Sequence, residues 1–253
     1  EVVAASEKIR ASGKMQHPYA AAYKAGWNLA EEFVNMFIGH GGEFFKAGTA
    51  EPNINNAKGV ATLNMLKKLA SLSNPDYLTH DSEAIKVEWE SGKVALMTLW
   101  ASRSGTLLDD EGDAKITAAT KLTGPATVGG GNIPAATLWW DGFTLAKNRS
   151  DSDAEASFIA LAHAASNKKM VADAADQAVW LVEGFVPGPK SIGVIEAVKM
   201  GAKPYPMLPQ MGLMHGALGS EIVEFLQGKE SAEQALKDVE AAYISKAKEQ
   251  GFL

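Results

Sequence analysis

The chain has 253 residues, of which 46% are hydrophobic and 21% charged, a composition typical of a globular protein with one large or two modest domains. Its net charge of −6 argues against a nucleic-acid-binding surface. The sequence contains no cysteine, which excludes disulfides and thiolate chemistry, and no run of about 18 apolar residues that would predict a membrane-spanning helix.

Apolar side chains recur every three to four positions through much of the first 90 residues, and this spacing places them on one face of an α-helix. The pattern predicts helices over residues 1–12, 29–38, 58–72 and 81–90. Leu29, Phe33 and Phe37 form one apolar stripe, and Gly39 stands where a helix commonly ends. Residues 19–23 form a short strand-like piece between the first two helices.

Two further stretches favour strands. Residues 94–100, VALMTLW, are apolar almost throughout and are bounded by Gly92 and a polar loop, so they predict a buried strand. Residues 115–127 are predicted to supply another strand before the glycine triplet at 129–131.

The run TLWWDGFTL, residues 137–145, is also strand-like because aromatic residues favour pleated strands. Neighbouring side chains in a strand point to opposite faces, so one of Trp139 and Trp140 is expected in a core and the other on a surface or cleft. An indole face beside Asp141 suits a polyhydroxylated ligand, and Gly142 adds backbone freedom. An ordinary strand with two core tryptophans is the alternative interpretation of this stretch.

The remainder of the chain predicts mainly helices, over residues 153–165, 168–178, 191–200, 211–226 and 231–248. Ser152 with Glu155, and Ser231 with Gln234, have the spacing of a capping box at a helix start. Residues 204–209, PYPMLP, are predicted to be an extended linker. Helices that alternate with buried strands indicate an α/β architecture.

Four stretches follow one another in an order that spans nearly the whole chain: ASGK (11–14) with GHGGEFF (39–45), EAIKVEWESGKVALMTLW (83–100), WWDGFTLAKNRSDSDAEASFIALAHAAS (139–166), and PYPMLPQMGLMHGAL (204–218) with ESAEQALKDVEAAY (230–243). In this order they resemble the carbohydrate-binding family of ABC-transporter extracellular solute-binding proteins. Each stretch is degenerate alone, whereas the ordered set is specific.

The resemblance implies a periplasmic-binding-protein-like two-lobe fold that lacks its N-terminal lobe. Residues 1–138 would form the first part of the C-terminal lobe, residues 139–186 would cross the hinge and add helices to the other lobe, and residues 187–253 would return. The implied partners are a carbohydrate or polyol, ABC permease subunits in the membrane and, unless a longer precursor exists, a separate N-terminal-lobe fragment. The implied location is periplasmic or extracellular, and the apolar stripes of residues 153–178 are expected to need a covering sheet.

Sugar binding needs aromatic faces against C–H patches and planar polar groups that read hydroxyls. The residues that would fall on the cleft loops are Trp27, Trp100, Ser102, Arg103, Trp140, Asp141, Gly142 and His215. His215 stands where maltose-binding members of the family carry a sugar-stacking aromatic, so maltodextrin specificity is not expected. Trp27 also fits a helix-entry packing residue, and Arg103 a solvated loop charge.

Catalytic motifs are missing from the sequence. The five histidines are scattered without metal-ligand spacing, and no P-loop, GxGxxG or GxSxG occurs. The leading interpretation is therefore a solute receptor with no cofactor and no enzymatic activity. Two alternatives stay open: a carbohydrate-active enzyme that uses a carboxylate pair, and a helical interaction domain without a small ligand.

Overall fold

The computed structural model describes residues 1–109, 112–166, 168–180 and 182–253. Its helices are α1 Val2–Ala11, α2 Trp27–Gly39, α3 Ala57–Ala70, α4 Ser82–Glu90, α5 Ala101–Ser104, α6 Ala114–Ala119, α7 Asp151–Ser166, α8 Lys168–Asp173, α9 Ile192–Lys199, α10 Met211–Leu226 and α11 Ala232–Glu249. Its strands are β1 Tyr19–Ala20, β2 Leu96–Met97, β3 Thr137–Leu138 and β4 Lys203–Pro204. No helix within these described ranges is long and apolar enough to cross a membrane.

The strands form two short parallel pairs. β1 pairs with β2, with Tyr19 opposite Leu96, and β3 pairs with β4, with Thr137 opposite Lys203. Parallel neighbours require a crossover connection, which here contains helices in both cases. The chain is thus a helix-rich α/β structure, as the sequence predicts.

The main hydrophobic core lies among α2, α3, α10 and α11. The stripe predicted on α2 is fully buried there, at Leu29, Phe33 and Phe37. Tyr243 of α11 is also fully buried, and its hydroxyl donates a 2.7 Å hydrogen bond to the Ala50 carbonyl. The four helices therefore form one body that supports the ends of α2 and α10.

The prediction of a strand over residues 115–127 is wrong. The structure has α6 there, followed by chain without regular structure. The Asp113 carboxylate accepts hydrogen bonds from the backbone N–H groups of Lys115 and Ile116, which caps a helix start. The strand predicted over 94–100 is confirmed only at Leu96–Met97, because its partner strand β1 is two residues long.

The strand predicted over residues 137–145 stops at Leu138, and neither indole that follows enters the core. Trp139 is 48% exposed and Trp140 66% exposed. The last ladder bond runs from the Tyr205 N–H to the Leu138 carbonyl. Beyond it no backbone hydrogen bond joins the two segments in the described part of the chain.

Of the two predicted capping boxes, the Ser231 half of one is confirmed, whereas the Gln234 side chain donates to Asp238 instead. Ser231 caps α11, since its Oγ accepts from the Gln234 N–H at 3.1 Å. At α7, in contrast, Ser150 is the capping residue, and its Oγ accepts from the Asp153 N–H. The helix therefore begins two residues before the predicted start, and the capping box assigned to Ser152 is wrong.

The helix predicted over residues 168–178 ends at Asp173 and continues as turns. On the preceding helix α7, none of the described side chains is buried, and Phe158 is 64% exposed. An apolar stripe on this helix is consequently open in the structure of this chain.

The approach of α10 to the start of α2 depends on a glycine pair. A Cβ built at Gly219 would lie 2.4 Å from the Gly26 carbonyl oxygen, whereas a Cβ at Gly216 meets nothing within 4 Å. We expect Gly219→Ala to lower the free energy of unfolding by about 1–3 kcal/mol through overpacking. Gly216→Ala on the same helix should raise it by up to about 1 kcal/mol through helix propensity. Urea denaturation measures both, and equal effects would contradict the packing argument.

Candidate functional site

Five aromatic side chains from separate parts of the chain converge beside the first turn of α2. Trp27 begins α2, Trp100 immediately precedes α5, and Trp139 and Tyr205 follow β3 and β4. The fifth, His215, lies in the second turn of α10. We call this set, Trp27, Trp100, Trp139, Tyr205 and His215, the aromatic cluster.

Trp27 is the centre of the aromatic cluster. Its ring centroid lies 4.9 Å from that of His215, 5.5 Å from that of Trp100 and 6.0 Å from that of Trp139. The Trp139 and Tyr205 rings lie closer still, at 4.2 Å and an interplanar angle of 33°. Trp27 and Trp139 are each about half exposed, so part of each indole face is open to solvent.

His215 holds the cluster from beneath and is itself buried, at 4% exposure. Its Nε2 lies 3.0 Å from the Trp27 carbonyl oxygen, which can only accept, so Nε2 carries the hydrogen. Nδ1 then accepts from the Tyr205 hydroxyl at 2.9 Å. Burial lowers the pKa of His215 and so favours this neutral form. The hydrogen bond to the Trp27 carbonyl has a smaller, opposite effect on the pKa.

Glu31 lies on α2 one turn after Trp27 and contacts the other side of the cluster. Its Oε1 lies 2.8 Å from the Thr137 hydroxyl oxygen, and the Trp139 Nε1–H points at the same oxygen of Glu31 from 3.4 Å. Glu31 is 1% exposed, and burial raises its pKa to about 7 despite these hydrogen bonds. Burial, followed by the charge of Glu31, raises the pKa of the adjacent Glu32 to about 8.

Three of the residues selected from sequence, Trp27, Trp100 and His215, lie together in the aromatic cluster. Arg103 lies at its edge, with the guanidinium carbon 5.4 Å from the centroid of the Trp100 ring and an ion pair to Glu83. The guanidinium can thus present donors beside an aromatic face, although Glu83 already occupies part of its hydrogen-bonding capacity.

The other selected residues lie elsewhere. Ser102 is exposed and lines a small groove beside Lys190, which pairs with Asp109 and Asp176. Trp140, Asp141 and Gly142 are exposed in the irregular chain after β3, and Trp140 takes no part in the ring contacts of the cluster.

Sequence reasoning missed Glu31 and Tyr205 as members of this site. A signal for Glu31 exists, because residues four apart share a helix face and Glu31 stands four residues after Trp27. Tyr205 has no such signal, since its place depends on the pairing of β3 with β4. Within the part of the chain that the structure describes, no group of three or more histidine, aspartate or glutamate side chains is arranged to hold a metal ion.

Comparison with solved structures identifies the fold. The chain is similar to an ABC transporter solute-binding protein from Agrobacterium radiobacter K84 in complex with ribitol, at a TM-score of 0.77 and 18% identity, covering 94% of this chain and 62% of that one. It is also similar to maltose-bound MalE3 of T. maritima, at 0.78 and 17%, covering 96% and 63%. A solute-binding protein from Agrobacterium vitis S4 with bound D-mannitol matches at 0.68 and 17%, covering 99% and 65%.

The chain therefore has the periplasmic-binding-protein-like fold of these solute-binding proteins, and it spans about three fifths of their length. This confirms the fold class expected from the sequence. No family model matches the sequence, and no curated protein matches it.

The buried carboxyls predict how stability depends on pH. Burial raises the pKa of Glu32 from 4.5 in the unfolded chain to about 8 in the folded chain. The contribution of Glu32 to the free energy of unfolding is therefore complete below pH 4.5 and is lost as the pH rises to 8. Between pH 5 and 8 the free energy of unfolding of the wild type should fall by up to about 1.4 kcal/mol per pH unit more than that of Glu32→Gln. The comparison cancels the opposite contribution of His215, which is common to both proteins.

Denaturant unfolding at successive pH values measures this difference. The exposed Glu249→Gln on α11 is the control and should follow the wild-type profile. Parallel profiles for wild type and Glu32→Gln would show that Glu32 is ionised in the folded chain.

Proposed function

We propose that this chain is the larger part of an extracytoplasmic solute-binding protein that captures a sugar, oligosaccharide or polyol against the aromatic cluster. The observation that carries the proposal is the half-exposed pair Trp27 and Trp139, packed at 6.0 Å on buried supports. Rigid indole faces cover the C–H patches of a carbohydrate at little conformational cost, and polar groups at the edge of such a pocket fix its orientation.

In this proposal Arg103, next to Trp100, forms the polar edge of the site, and Trp140 and Asp141 contact the ligand from the exposed chain after β3. A guanidinium donates several hydrogen bonds in a fixed fork, and a carboxylate accepts from hydroxyl groups. In this proposal Ser102 and Gly142 line the approach to the ligand. His215 acts through Trp27 and Tyr205 as their support, because it is buried.

The ligands of the similar structures support a polyhydroxylated solute, since ribitol, maltose and D-mannitol share closely spaced hydroxyls. Proteins with this fold close two lobes around a ligand by a hinge motion. The proposal assigns residues 1–138 and 187–253 to one lobe and residues 139–186 to the hinge crossing and helices of the other. Delivery of the solute to an ABC permease, and an N-terminal lobe as the second wall of the site, belong to the same proposal.

The enzymatic alternative needs a carboxyl group that reaches a substrate. Glu31 is a carboxyl in contact with the cluster through Thr137 and Trp139, and it is only 1% exposed. Its place fits support of the cluster better than proton transfer to a sugar, which favours a receptor over a glycosidase.

Calorimetry with maltose, D-mannitol and ribitol tests the proposal, together with a wider sugar and polyol panel. We expect a member of this panel to bind, and Trp27→Ala to weaken that binding at least about tenfold, equal to 1.4 kcal/mol. The loss follows because the half-exposed Trp27 ring provides the central stacking face. The bound compound should be recovered unchanged after overnight incubation.

Trp89→Phe is the matched control, because Trp89 lies outside the cluster and its Nε1–H donates to the Thr120 hydroxyl at 2.9 Å. This variant should bind as the wild type does. No binding across the panel would contradict the receptor proposal, and cleavage of a bound oligosaccharide would favour the enzyme.

A further inference from the structure

We infer that Glu31 is protonated in the folded chain and that its proton sets the hydrogen bond that holds Trp139 in the aromatic cluster, so that ionisation of Glu31 rearranges this side of the site. Glu31 is thus a positioning residue, since it acts through Thr137 and Trp139. The inference deepens the proposed function by giving the same site a pH response, and it depends on that function only for its effect on ligand affinity.

The Thr137 hydroxyl has more hydrogen-bond partners than its single hydrogen can serve if Glu31 is ionised. Three atoms lie 2.8 Å from its Oγ1: Glu31 Oε1, Asn35 Oδ1 and Trp139 Nε1. A hydroxyl has one hydrogen and two lone pairs, and the indole N–H occupies one lone pair. The single hydroxyl hydrogen cannot serve two acceptor oxygens at once.

A protonated Glu31 removes this conflict. Its O–H donates to the second lone pair of Thr137 Oγ1, and the Thr137 hydroxyl donates to Asn35 Oδ1. Every contact then has a donor and an acceptor. Ionised Glu31 would instead place two acceptors against one hydrogen, and its charged Oε1, 3.4 Å from the Trp139 Nε1, would compete with Thr137 for the indole N–H.

Burial of the other carboxyl oxygen of Glu31 also favours the protonated form. Glu31 Oε2 is inaccessible to solvent and has no hydrogen-bond partner in the described structure. An unpartnered oxygen of a buried carboxylate carries part of a full negative charge, and its desolvation is costly. The same oxygen in a neutral carboxyl costs much less, which agrees with the pKa of about 7 that burial gives to Glu31.

The charged and titratable groups around Glu31 do not compensate an ionised carboxylate. Glu32 on α2 is itself a buried acid, and burial and the charge of Glu31 both raise the pKa of Tyr205 after β4. His215 on α10 reaches the network through Tyr205, and burial lowers its pKa. Lys203, the exposed β4 partner of Thr137, forms no ion pair with Glu31 in the described residues.

The consequence is a site whose hydrogen bonds depend on pH. Below about pH 7 the Glu31 proton ties α2 to β3, and the Trp139 indole N–H is held on Thr137. Above that pH the carboxylate competes with Asn35 for the Thr137 hydrogen and with Thr137 for the indole N–H. The half-exposed Trp139 then changes its hydrogen-bond partner.

NMR of the Trp139 indole N–H from pH 5 to 9 tests the inference, with the resonance assigned by its loss in Trp139→Phe. In the wild type it should shift with a midpoint near pH 7, matched by one glutamate side-chain carboxyl ¹³C signal. The transition should be absent in Glu31→Gln, which keeps a neutral donor and acceptor but cannot ionise. It should persist in Glu32→Gln, the neighbouring acid that does not touch Thr137.

Two results would overturn the inference. The first is a Trp139 resonance that does not titrate in the wild type, which is expected if the Asn35 amide is turned to donate and Glu31 is ionised throughout. The second is an unchanged transition in Glu31→Gln. If that variant fails to fold, the paired carboxyl and indole midpoints of the wild type decide alone. No carbohydrate enters this test, so its failure is distinct from a failure of sugar binding.

Discussion

The close contact between the start of α2 and the middle of α10 determines the rest of the site. Gly26 adopts a φ of +97° and its N–H donates to the Gly219 carbonyl, an approach that the missing Cβ of Gly219 permits. His215 lies four residues before Gly219, on the same face of α10. It therefore meets the Trp27 carbonyl directly, and the geometry of the backbone fixes the central ring of the cluster.

From this contact the aromatic cluster extends along two hydrogen-bonded arms. One arm passes from His215 to Tyr205, whose ring packs on Trp139. The other passes from Glu31 through Thr137 to the Trp139 indole. Both arms end on Trp139, so a side chain in an irregular segment is held by two elements of the folded core. Half-exposed rings on buried polar supports suit a binding surface that must keep its shape.

Local sequence patterns predict the helices well because their information is local. The α2 stripe of Leu29, Phe33 and Phe37 and the Ser231 cap of α11 were readable from spacing alone. Patterns fail where a partner distant in sequence decides the outcome. The extent of β3 depends on its pairing with β4, and the place of Tyr205 depends on the same pair.

The candidate site shows the same division. Trp27, Trp100 and His215 could be selected from sequence because the resemblance aligned them with cleft loops, and the structure brings them together. Glu31 escaped selection because an acid within an apolar helix is usually solvated, and only the fold shows that it is buried beneath Trp139.

The central claim, that the aromatic cluster is the ligand-binding surface, is tested most directly by titrating ¹⁵N-tryptophan-labelled protein with maltose, D-mannitol and ribitol. The account predicts that a ligand among them shifts the indole resonances of Trp27, Trp100 and Trp139 together, while those of Trp89 and Trp180 stay in place. A ligand that binds and shifts only Trp89 or Trp180 would contradict it, because the binding surface would then lie outside the cluster.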